Sequence, residues 1–135
     1  MQNKTLNEYI SELKRFINTN DYLPCIDILL QAIKHYPRED KLKLNLGNIY
    51  KMLDRKEEAV DVYTSLLESP LSSIANNNLS LIMLELGDNQ KCIEYAREAL
   101  KVNKEYNDAK YNLAVGLFEN KEYLESLDIL SLIHI

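Results

Sequence analysis

Apolar residues recur at three- and four-residue steps along most of the chain, in blocks of helical length separated by short polar breaks. Between Glu39 and Met52 the series is Leu42, Leu46, Ile49 and Tyr50, with Leu53 just beyond. Asp54-Arg55 breaks it. A second series over about Lys56 to Glu68 carries Ala59, Val60, Tyr63, Leu66 and Leu67. Pro70 closes that block, because proline has no amide hydrogen to give and restrains the residue before it. Each block predicts an amphipathic helix, and the pair predicts a helical hairpin.

The hairpin pattern returns. From Ser73, Leu79, Ile82, Met83 and Leu86 lead to Gly87-Asp88, and Cys92, Ile93, Ala96, Ala99 and Leu100 follow. Gly87 is a natural stop, since glycine tolerates the left-handed backbone that ends many helices. From Asn107, Leu113, Ala114, Leu117 and Phe118 precede a turn near Asn120-Lys121, and a last helix is predicted over about Glu122 to Ile133 with Tyr123, Leu124, Leu127 and Leu130. An earlier copy fills about Leu6 to Glu39: Leu6, Tyr9, Ile10, Leu13, Phe16 and Ile17, then Cys25, Ile26, Leu29, Ala32, Ile33 and Pro37. The tripeptides Asn45-Leu46-Gly47, Asn78-Leu79-Ser80 and Asn112-Leu113-Ala114 set the period, with steps of 33 and 34 residues. Such a period marks a chain made by stacking one supersecondary unit on copies of itself. The first copy has Ser11-Glu12-Leu13 in that place, as end repeats often depart from the pattern.

Helical hairpins with small side chains at fixed offsets resemble the tetratricopeptide repeat family. In a 34-residue frame, the position that takes Gly or Ala in the first helix reads Leu13, Gly47, Ser80 and Ala114, and the small position of the second helix reads Cys25, Ala59, Cys92 and Ser126. Two helices cross closely where these side chains meet, and large groups on both would force the axes apart. Cys25 and Cys92 thus stand in for alanine. The family's large aromatic in the first turn is Tyr9, then Lys43, Asn76 and Lys110, so that element is mostly replaced. The resemblance covers nearly the whole chain. It implies an all-α right-handed solenoid of about four repeats and eight helices, forming one domain over 1–135 with repeats near 6–39, 40–72, 73–106 and 107–135.

The resemblance further implies a protein-interaction scaffold whose first helices line a concave groove. The groove positions include Lys41, Leu44, Asn45 and Asn48, then Asn77, Asn78 and Leu81, then Tyr111, Asn112 and Val115. Asn45, Asn78 and Asn112 occupy the same place in three repeats, and a side-chain amide matches a peptide unit's C=O and N–H together. The row looks like the asparagine ladder of family members that bind extended polypeptide, including the arm of a sugar transferase. The other reading is that these amides bond nearby backbone. On the ladder reading, alanine at all three is expected to leave the fold intact. The family's clamp for a C-terminal carboxylate is matched at Asn48 and Asn78, while Leu44, Asp108 and Asn112 replace its basic positions, which disfavours that mode.

Composition narrows the function class. The net charge of −5 lacks the basic excess with which nucleic-acid binders neutralise phosphates, which weighs against RNA binding of the pentatricopeptide kind. Cys25 and Cys92 have no C-x-x-C spacing and no nearby His, so no zinc site is expected. His35 and His134 belong to no nucleophile–base set, and Gly47, Gly87 and Gly116 are too dispersed to cradle a phosphate. No cofactor, metal or catalysis is expected. The start of the chain has no apolar secretory core and no stretch is long enough to span a membrane, so a cytoplasmic protein is expected. The last helix is apolar on more than one side, through Leu124, Leu127, Ile129, Leu130 and Leu132. Three readings stand: the chain is the N-terminal piece of a longer protein, such as the recruiting arm of a transferase; it forms a homo-oligomer through this helix; or the end frays.

Overall fold

The computed structural model describes residues 4–133, and among them every regular element is helical. The order is α1 (Leu6–Asn18), α2 (Leu23–His35), α3 (Asp40–Met52), α4 (Lys56–Thr64), α5 (Ser72–Glu85), α6 (Asn89–Val102), α7 (Asn107–Glu119) and α8 (Tyr123–Ser131). The chain divides into two compact units, Met1–Val62 and Tyr63–Ile135, with residues of α4 in both. In the first, α1 packs on α2 and α2 on α3. In the second, α5 packs on α6, α6 on α7 and α7 on α8, and α5 also meets α7.

The turn inside each hairpin is built the same way four times. Asn20, Asp54, Gly87 and Lys121 adopt left-handed backbone, with φ of 57°, 58°, 80° and 64°. One residue later, the N–H of Asp21, Arg55, Asp88 and Glu122 reaches back to the carbonyls of Phe16, Tyr50, Met83 and Leu117 at 2.8–2.9 Å. The left-handed residue's own N–H bonds the carbonyl three residues earlier, at 2.9–3.1 Å. Together these satisfy the orphan carbonyls at a helix end in the pattern of a Schellman motif. Gly87 reads as such a stop from its residue type and Asn20 does so more weakly, since asparagine is the side-chain-bearing residue that best tolerates this backbone; Lys121 gives no such signal. Helix starts are more varied. The Thr5 hydroxyl accepts from Glu8 N–H at 3.2 Å to cap α1, and the Asp88 carboxylate accepts from Lys91 N–H at 3.1 Å to cap α6.

The small positions lie at the core of each hairpin. Gly47, Ser80 and Ala114 are buried in the first helices, as are Cys25, Ala59, Cys92 and Ser126 in the second helices. Ser126 Oγ donates to the Ala114 carbonyl at 2.7 Å, which shows how near α8 comes to the α7 backbone. Gly116 does the same for α6 and α7, since a Cβ there would stand 3.0 Å from Cys92 Sγ. Around that approach, Ile93, Ala96, Leu113 and Leu117 form the apolar centre of the second unit, with Leu100 and Ile129 packed against it.

Two helices end sooner than the apolar pattern predicts. α4 stops at Thr64 rather than near Glu68, and the chain continues in tight turns, with Leu66 N–H on the Tyr63 carbonyl at 2.9 Å and Ser69 N–H on the Leu66 carbonyl at 3.0 Å. The Pro70 ring would collide with the Leu66 carbonyl in a continued helix, and Ser69 Oγ takes that carbonyl instead at 2.7 Å. α8 stops at Ser131, whose hydroxyl donates to the Asp128 carbonyl at 2.6 Å. Leu124, Leu127, Leu130 and Leu132 are exposed, while His134 lies outside the described residues.

Replacing Gly87 by alanine is expected to lower stability by about 1–2 kcal/mol in urea denaturation, from backbone strain alone, because nothing stands within 4 Å of the added Cβ. Alkali is expected to weaken the fold as well. Burial raises the Cys92 thiol from 9.0 to about 11, with Asp88 adding to the effect, and burial holds the Tyr63 phenol well above its usual range. The unfolded chain therefore sheds these protons first, and stability present below pH 9 drains away as pH rises towards 11. The Cys92 contribution is about 2–3 kcal/mol, read from the urea midpoint at pH 7, 9 and 10.5.

Candidate functional site

In the first unit, α1 and α3 enclose a hollow of about 470 Å³. Ile10, Lys14 and Ile17 reach it from α1, at spacings of four and three that put them on one stripe. Lys41, Asn45, Asn48 and Met52 reach it from α3, again at four- and three-residue steps. Leu13, Leu42 and Ile49 form the floor with Leu29 of α2, and Tyr22 closes one side from the turn before α2. Floor and rim differ in character. The floor is core side chain, whereas Met52 is 56% exposed and Ile17 41%. Lys14, Lys41 and Asn45 are exposed, and none of them has an ion pair or side-chain hydrogen bond among the described residues. Asn45 can therefore donate and accept towards a guest without surrendering a bond.

Three of the sequence-derived groove residues, Lys41, Asn45 and Asn48, thus meet at one surface. Leu44 is half-buried on α3 and does not line the hollow.

The remaining candidates belong to the second unit, where the asparagines behave differently. Asn112 is only 6% exposed. Its Nδ2 donates to Asn77 Oδ1 at 2.9 Å and to Ser80 Oγ at 3.2 Å, which ties α7 to α5. Asn77 is buried too, and its Nδ2 donates to the Tyr106 hydroxyl at 3.3 Å. Burial pushes the Tyr106 phenol up, Asp108 adds to that, and the Asn77 bond works the other way. Asn112 is therefore bonded to side chains of the neighbouring first helix rather than facing outward. Asn78, Leu81 and Val115 are half-buried, while Tyr111 is exposed on α7. Phe118 is also exposed and meets Tyr123 edge to face, with centroids 5.1 Å apart.

Some contributors were invisible to periodicity. Tyr22 lies in a turn, where no helical stripe points to it, although it follows the left-handed Asn20 and donates to Asn20 Oδ1 at 3.0 Å. Lys110 stands where the repeat pattern wants an aromatic, and it is buried all the same. Its Nζ donates to the Leu132 carbonyl at 3.1 Å, capping the end of α8, and sits 3.5 Å from Glu105. A second hollow, about 520 Å³ and lined by Glu68, Glu94, Glu98, Lys91 and Tyr95, belongs to the second unit. Among the described residues no group of three or more His, Cys, Asp or Glu could hold a metal ion, and no helix is long and apolar enough to cross a membrane.

Changing Asn112 to alanine is expected to lower stability by about 1–3 kcal/mol, because Asn77 and Ser80 lose a buried partner. Changing the exposed Asn45 is expected to alter it by less than about 0.5 kcal/mol. Urea denaturation of the two single variants measures the contrast.

Two family models described as tetratricopeptide repeat match the chain, over residues 42–72 and 74–106. No curated protein matches it. Among solved structures, the chain is similar to the MamA protein at 18% identity and TM-score 0.82, over 93% of this chain and 69% of that one. It is similar to a tetratricopeptide repeat protein of Parabacteroides merdae at 23% identity and TM-score 0.85, over 94% and 51%. It is also similar to the pilF protein of Pseudomonas aeruginosa at 19% identity and TM-score 0.83, over 92% and 57%. At these identities the likeness shows the fold, an all-α tetratricopeptide solenoid, which is in general a protein-interaction scaffold. The matches mark residues 42–72 and 74–106 as tetratricopeptide repeats, and the hairpins, the buried small positions and the likeness to solved structures give the chain as a whole the tetratricopeptide repeat fold.

Proposed function

We propose that the chain is a non-catalytic scaffold that grips a segment of a partner protein in a concave groove, with the hollow between α1 and α3 as the contact. The observation that carries this reading is the pairing of an apolar floor with the exposed Lys14, Lys41 and Asn45 at the rim, which have no ion pair or side-chain hydrogen bond among the described residues. An apolar concavity favours a guest because each Å² of apolar surface removed from water contributes about 25 cal/mol. Binding sites of this kind add a few polar groups that fix orientation, here Lys41, Asn45 and Asn48. Exposed Tyr111 and Phe118 give the second unit apolar contacts of its own. Two cysteines kept as buried free thiols suit a reducing compartment, which supports a cytoplasmic location.

The exposed leucines of α8 favour a second contact, either with another copy of the chain or with further polypeptide, as in the arm of a larger transferase-type protein. Light scattering at rising concentration separates these: growth in mass supports the first, and a constant monomer mass removes it.

The groove reading is tested by nuclear magnetic resonance with peptides selected from a random displayed library. The strongest amide shifts are expected at Ile10, Ile17, Asn45 and Met52. Shifts confined to α4, α6 and α8 would overturn the proposal.

A further inference from the structure

We infer that the hollow of the first unit selects a segment in which a bulky aliphatic or aromatic side chain stands beside a carboxylate. The inference rests on the groove reading above and adds the chemistry of the guest. Ile10, Ile17 and Met52 border an apolar floor, so the part of the guest that enters must itself be apolar; a charged group there would lose its water without a partner. The rim supplies the sign. Lys14 on α1 and Lys41 on α3 flank the opening, and neither has a carboxylate partner among the described residues. Elsewhere on this acidic chain lysines do find one: Lys4 reaches Glu12 at 2.6 Å, and Lys101 reaches Glu98 at 2.6 Å.

Among the described residues Glu39 is the single carboxylate that lines the hollow, so two cations face one anion. Glu39 precedes the first turn of α3 and its side chain makes no capping bond there. The exposed lysines contribute to encounter rate and selectivity more than to raw affinity, and their effect weakens as salt screens it.

The test uses two pools of fluorescein-labelled, end-capped dodecapeptides. Both have the same central positions drawn from Leu, Ile, Phe and Met; one pool is flanked by Glu and the other by Lys. Anisotropy titrations are run at low and physiological salt on the unaltered chain, on the double variant Lys14→Glu/Lys41→Glu, and on Met52→Glu. All three altered residues are exposed, and circular dichroism checks that the fold is kept. The Glu-flanked pool is expected to bind at least tenfold more tightly than the Lys-flanked pool at low salt. The double variant is expected to reverse the order, and Met52→Glu to weaken both pools. Equal binding of the pools, with both weakened by Met52→Glu, would overturn the charge preference and leave the groove reading standing. Preference of the unaltered chain for Lys flanks would overturn it in favour of a cationic guest held by Glu39. No binding of either pool, or binding indifferent to Met52→Glu, would overturn both readings.

Discussion

The close approach of the two helices within a hairpin is the constraint from which the rest of this structure follows. It is closest where the side chains between the axes are small, and three of the four hairpins supply them with a different pair each time: Gly47 and Ala59, Ser80 and Cys92, Ala114 and Ser126, while the first sets Leu13 with Cys25. Serine is acceptable there when its hydroxyl finds a carbonyl. Ser126 uses Ala114, and Ser80 donates to the Asn77 carbonyl at 2.8 Å. Cysteine is acceptable as a compact apolar group, and its burial raises the thiol pKa, which keeps it protonated and unreactive. Once the crossing is close, the turn joining the helices has little length to use, and the left-handed residue with its paired back-bonds is the economical solution adopted four times.

Much of this was legible in residue types. Helical spacing and a period of 33 to 34 marked every hairpin, and the small positions followed from the same register. Helix ends were less legible. The apolar run through Leu66 and Leu67 continues past the point where α4 stops, because amphipathic spacing persists in a tight turn while backbone geometry has already changed. Asp54 and Lys121 carry no strong signal for left-handed backbone, so only their repetition in register with Gly87 identifies them.

The candidate site divides along similar lines. A stripe such as Lys41, Asn45, Asn48 and Met52 can be read from spacing, because all four share one side of a helix. Whether an asparagine on such a stripe faces a guest or a neighbour cannot be read from spacing. Asn45 and Asn112 hold equivalent places in their repeats, yet one is exposed and the other is buried against α5. The difference lies in their neighbours: Asn77 and Ser80 offer acceptors to Asn112, and that geometry exists only after α5 and α7 have packed. Lys110 makes the same point. A lysine in the aromatic position suggests a solvated surface, but the unsatisfied carbonyl at the end of α8 draws its ammonium group inward.

The bonds from Asn112 to Asn77 and Ser80 also act as a key between α5 and α7. Apolar ridges along two helices can mesh in more than one alignment, each displaced by a turn, at modest cost. Sliding these two by a turn would strand three buried polar groups, so the amide cluster selects one alignment. A protein engineer who lengthens the array by duplicating this segment should therefore carry Asn77, Ser80 and Asn112 across as an indivisible set.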